Sequence, residues 1–65
     1  MTSQPAILII DDDRALTGMI AAMLSANHYA VFTAYDGQEG LRKLHEHRPD
    51  LIILDINMPL MDGWV

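Results

Sequence analysis

Ala6-Ile7-Leu8-Ile9-Ile10-Asp11-Asp12-Asp13 is the stretch on which the fold turns. Five apolar residues follow one another without the alternation of a half-buried strand, so they read as a central parallel strand covered on both faces. The run stops abruptly in three acids. A second stretch, Leu51-Ile52-Ile53-Leu54-Asp55, is shorter but closes in the same way on a carboxylate. Ligands of an open parallel sheet gather beyond the carboxyl ends of its strands, so two strands ending in aspartate point to one acidic hollow.

The segments between these runs supply the rest of an α/β unit. Leu16, Met19, Ile20, Met23 and Leu24 recur at spacings of three and four, which predicts a helix with that stripe against the core. It is expected to end near Asn27, a residue suited to a left-handed cap. Ala30 to Ala34 reads as a strand, less uniformly apolar than the first and so nearer an edge. Asp36-Gly37 breaks it. A second helix is expected from Gln38 to His47 with Leu41 and Leu44 inward, weakened by Gly40 and ended by Arg48-Pro49-Asp50. After Asp55 comes the turn-rich Asn57-Met58-Pro59-Leu60-Met61-Asp62-Gly63, with Asp62 placed to cap a further helix at Trp64-Val65. Strands alternating with helices indicate a parallel sheet in one domain, or part of one.

Composition narrows the function. Four Lys plus Arg against nine Asp plus Glu give a formal charge of −5 in 65 residues, which argues against a surface that neutralises nucleic-acid phosphates. No apolar run approaches a membrane span and the start carries no positively charged export signal, so a cytoplasmic location is the default expectation. There is no cysteine for a disulfide staple. A chain this short hides only about 60% of its unfolded surface, so stability from a bound ion, a second copy or further sequence is expected.

If the first and third strands are neighbours, about 4.8 Å apart, then Asp11, Asp12 and Asp55 share one pocket. Two carboxylates 4 Å apart repel by about 4 kcal/mol at an effective dielectric of 20, so three together must be protonated, separated or neutralised by a cation. A hard divalent ion such as magnesium accepts oxygen ligands and keeps positions open for phosphate oxygens. Asp55 is then a candidate phosphoryl acceptor, because a carboxylate can attack phosphorus to give an acyl phosphate while a neighbouring cation offsets the incoming charge.

Ile9-Ile10-Asp11-Asp12-Asp13 together with Pro49 to Gly63 resembles the receiver domain of two-component response regulators. The resemblance implies a flavodoxin-like fold in which Asp55 accepts a phosphoryl group from the phosphohistidine of a sensor histidine kinase or a phosphotransfer protein. It further implies that Asp12 and Asp55 bind Mg²⁺ directly, Asp11 through water, and Asn57 through its main-chain carbonyl. It also implies a continuation for about as many residues again. Residues 1–65 are therefore expected to be the N-terminal part of a receiver domain, β1-α1-β2-α2-β3 in sheet order 2-1-3, with the C-terminal half absent. That half would carry a Ser or Thr and a Lys at the phosphoryl site, so poor phosphorylation is expected, as is a homodimer through the exposed edge of Leu51 to Leu54.

Two other readings stay open on the residues. Asp11 and Asp13 imitate the paired acids of a haloacid-dehalogenase-like phosphatase, although Arg14 and Ala15 replace the Gly-Thr usual there. A phosphorylation-independent interaction module is the other. Asp13 itself reads as a helix cap, and His45 and His47, two apart on a helix, point in different directions and make a poor metal pair.

Overall fold

A computed structural model describes residues 4–55. In it β1 (Ala6–Ile10), α1 (Arg14–Ala26), β2 (Ala30–Ala34), α2 (Gly37–His47) and β3 (Leu51–Leu54) follow in order. The three strands form one parallel sheet in the order β2-β1-β3. Ile7 to Ile10 are all buried, as an unbroken apolar run predicts for the middle strand, with Leu8 0% and Ile9 1% exposed. Because the two crossovers step to opposite sides of β1, their common right-handedness puts α1 and α2 on opposite faces of the sheet. Leu8, Ile10 and Ala34 form the core of the α2 face, where Phe32, Leu44 and Leu54 pack against them.

Each helix starts on an aspartate. The Asp13 carboxylate accepts from the Leu16 N–H at 3.0 Å and that of Asp36 from the Glu39 N–H at 2.8 Å. Glu39 Oε1 in turn accepts from the Tyr35 N–H at 2.8 Å, a reciprocal arrangement close to a capping box. At the other end of α1 the left-handed residue is His28, with φ 70°, while Asn27 sits at φ −102°. The His28 N–H donates to the Ser25 carbonyl and the Tyr29 N–H to the Leu24 carbonyl, the paired bonds of a Schellman motif, which place the left-handed residue one position beyond the helix's capping residue.

The expected inward stripe of α1 is rotated. Thr17 is fully buried and Ile20, Ala21 and Leu24 are half-buried, whereas Met19 and Met23 are 68% and 60% exposed and Leu16 lies outward too. Spacing of three and four fits both stripes, and the small residues Thr17 and Ala21 let this face approach the sheet. Leu41 on α2 is likewise exposed, leaving Leu44 as the apolar anchor of that helix. Leu51 and Ile52 of β3 are also exposed among the described residues. No helix of the described residues is long and apolar enough to cross a membrane.

Candidate functional site

Strand pairing carries the acids together. The Asp11 N–H donates to the Ala34 carbonyl, extending the β1–β2 ladder, and the Asp55 N–H donates to the Ile10 carbonyl, extending β1–β3, both at 3.0 Å. The carboxylates of Asp11, Asp12 and Asp55 consequently each offer an oxygen within 4.8 Å of the others. Asp11 is buried, Asp55 half-buried and Asp12 exposed, so the cluster is anchored inside and opens outward. Asn57, Asp62 and Trp64 lie outside the described residues.

Asp11 is the electrostatic focus. The Asp13 N–H donates to its Oδ1 at 2.9 Å. That bond is the largest single influence on its acidity and favours the charged form, but burial, a hydrogen bond with Asp55 and the negative charges of Asp55 and Asp12 together outweigh it. The net effect raises the Asp11 carboxyl above its ordinary value.

The cluster fits a hard cation by its donor chemistry. All three candidate donors are carboxylate oxygens, the ligand type that magnesium takes. Asp13 does not join them, since its side chain is held at the Leu16 N–H. Neither His45 nor His47 contributes: the His47 ring stacks on Phe32 with centroids 3.9 Å apart.

Comparison with known proteins agrees with this geometry. The family model of the response regulator receiver domain matches residues 7–65. The chain belongs to that family. It is 44% identical over 61 residues to the transcriptional regulatory protein PrrA of Mycobacterium tuberculosis, covering 94% of this chain and 26% of that protein. The response regulator MprA of Mycobacterium ulcerans is 46% identical over 57 residues, covering 88% of this chain and 25% of its own length. Among solved structures, the chemotaxis protein CheY4 of Vibrio cholerae superimposes with a TM-score of 0.87 at 39% identity, over 91% of this chain and 49% of that one. The chain thus spans about a quarter of the curated relatives and half of the solved one. The receiver's flavodoxin-like topology, with the sheet order 2-1-3, is the one expected from the sequence.

Two features of the receiver's surroundings went unread in the sequence. The Arg14 guanidinium lies 4.0 Å over the Tyr35 ring, tying the start of α1 to the end of β2. Neither residue belongs to a local motif, so only the register of β1 with β2 reveals the pair. Asp36 and Glu39, by contrast, stand at the three-residue offset of a capping pair and were readable.

Proposed function

We propose that the chain is the phosphoacceptor part of a two-component phosphorelay, with Asp55 as the acceptor and Asp11, Asp12 and Asp55, joined by the Asn57 carbonyl, as the Mg²⁺ ligands. The observation that carries this reading is the convergence of three carboxylates from two strand ends, in a chain of the receiver family. The bound ion would supply positive charge that offsets the phosphoryl oxygens. Asp55 does the covalent work: one carboxylate oxygen attacks phosphorus as the bond from phosphorus to the donor's imidazole nitrogen breaks. The imidazole keeps the electron pair and takes up a proton. Burial of Asp11 and its bond from the Asp13 N–H hold the floor of the site still, and positioning is most of what phosphoryl transfer asks of a protein.

The partner in this reading is a sensor histidine kinase or a phosphotransfer protein, and the chain is a signalling module acting on itself, not an enzyme with turnover. Residues 1–65 are read as the N-terminal part of the receiver domain. The exposed Leu51 and Ile52 favour a homodimer along the β3 edge, which sedimentation of the chain against its intact mass reports. The phosphatase reading is disfavoured by Asp13, whose carboxylate is committed to the helix cap.

Incubation with acetyl phosphate and Mg²⁺, followed by intact-mass analysis, tests the assignment. One added phosphoryl group is expected on the parent chain, at low yield, and none on Asp55→Asn. An adduct that persists in Asp55→Asn moves the acceptor elsewhere.

A further inference from the structure

We propose that Glu39 and Lys43 close the free edge of the sheet at β2 against a second copy of this chain. Among the described residues the order β2-β1-β3 leaves β2 with a neighbour on one side only. The Ala30 N–H donates to the Pro5 carbonyl, and the Ala34 carbonyl accepts from the Asp11 N–H. In a parallel ladder both main-chain groups of one residue face the same neighbour and those of the next face away, so Ala30, Phe32 and Ala34 bond to β1. The N–H and carbonyl groups of Val31 and Thr33, with the N–H of Tyr35, point to the open side.

An added strand would bring, to the carboxyl end of β2, a donor for the Thr33 carbonyl and an acceptor for the Tyr35 N–H. Two side chains of α2 already stand there. Lys43 Nζ donates to the Thr33 carbonyl, and Glu39 Oε1 accepts from the Tyr35 N–H at 2.8 Å. They lie one helical turn apart and are joined to each other, Lys43 Nζ to Glu39 Oε2 at 3.6 Å. The pair thus imitates the donor and acceptor that one residue of a neighbouring strand supplies. A freely exposed ion pair holds little energy, but here both ends are anchored on the main chain and each side chain is only about a quarter exposed. What the pair keeps out follows from the strand itself. Ala30-Val31-Phe32-Thr33-Ala34 carries no charge and centres on good strand formers, the kind of edge that pairs with its own copy unless charge covers it.

Sedimentation of five chains without Mg²⁺ tests this: the parent, Lys43→Ala, Lys43→Arg, Lys43→Ala with Val31→Pro, and Arg42→Ala. The outcome is independent of the phosphoacceptor reading, and any association of the parent along β3 is present in all five. Lys43→Ala should raise the weight-average mass to about twice the parent's or more, as the pairing of two opened edges requires. Lys43→Arg keeps a donor and should keep the parent's mass. Arg42→Ala loses the same charge from an exposed neighbouring position and should keep it too. Val31→Pro removes an outward N–H without touching the β1 ladder, so it should return Lys43→Ala to the parent's mass. An unchanged mass in Lys43→Ala, or a rise that Arg42→Ala matches or Val31→Pro does not reverse, overturns the proposal. Should the double variant not fold, amide exchange of Lys43→Ala decides: new protection of the Val31 and Thr33 N–H groups supports pairing at this edge, and its absence overturns it. Should Lys43→Ala itself not fold, Lys43→Gln takes its place under the same criteria.

Discussion

The main-chain N–H of Asp55 donates to the carbonyl of Ile10 at 3.0 Å, one residue before Asp11. Two carboxylates from strands 40 or more residues apart in sequence are thereby fixed by the same ladder that builds the sheet. The like charges are gathered by the fold itself, so their repulsion is a cost to the metal-free chain.

That cost has a definite pH dependence. A carboxyl whose value is raised by folding binds its proton more tightly when folded, so its stabilising contribution is present below the unfolded value and is lost as pH rises through the folded one. Asp11 should therefore weaken the metal-free chain as pH climbs above the ordinary carboxylate range of about 4. Mg²⁺ should offset this most at neutral pH, by about 2.7 kcal/mol at a concentration 100 times its dissociation constant. Asp11→Asn, which keeps the oxygen that accepts from Asp13, should raise the metal-free melting temperature at neutral pH and blunt the response to Mg²⁺. Melting curves at two pH values, with and without the ion, measure both; an equal response of parent and variant contradicts the account.

Asp13 offers a sharper separation of roles. Its carboxylate satisfies the Leu16 N–H at the start of α1, and only its main-chain N–H serves Asp11. Asp13→Ala should thus cost about 1 kcal/mol of stability through the lost cap, while Mg²⁺ affinity stays at the parent's value. Chemical denaturation combined with calorimetric titration checks the two halves independently. A loss of affinity without loss of stability would make Asp13 a ligand.

The elements were legible because each carries a local signature: an unbroken apolar run for β1, Asp13 at the start of α1, Asp36-Gly37 after β2, Arg48-Pro49 after α2. The acid cluster was legible because Asp11, Asp12 and Asp55 sit at strand ends, where parallel pairing decides their neighbours. The face of α1 was not. Leu16, Met19 and Met23 make the more apolar stripe, but hydrophobicity alone does not say which stripe approaches closest, and the smaller Thr17 and Ala21 won that contact.

The rotated stripe makes its own prediction. Met19→Lys and Met23→Lys, both at exposed positions, should each change stability by no more than about 0.5 kcal/mol. Leu44→Ala, which removes packing from the Leu8, Ile10 and Ala34 cluster, should cost about 2 kcal/mol or more. Urea denaturation of the three variants ranks them directly. A methionine variant as damaging as Leu44→Ala would return that stripe to the core.

Backbone strain at the helix ends gives the last test. His28, at φ 70°, occupies the left-handed position of the Schellman motif that closes α1, and Arg48, at φ 47°, plays the corresponding part after α2. Left-handed backbone costs a residue with a Cβ roughly 1–2 kcal/mol, a cost glycine escapes, although glycine gives back part of the gain through the entropy of the unfolded chain. Histidine visits this region more readily than arginine does, so Arg48→Gly should gain more than His28→Gly. A net gain of about 1 kcal/mol corresponds to a rise of roughly 4–8 °C in melting temperature for a domain of this size class. Both residues are exposed, so little packing is lost with either side chain. A fall in melting temperature on Arg48→Gly would mean that its side chain, and not its backbone, is what holds the end of α2.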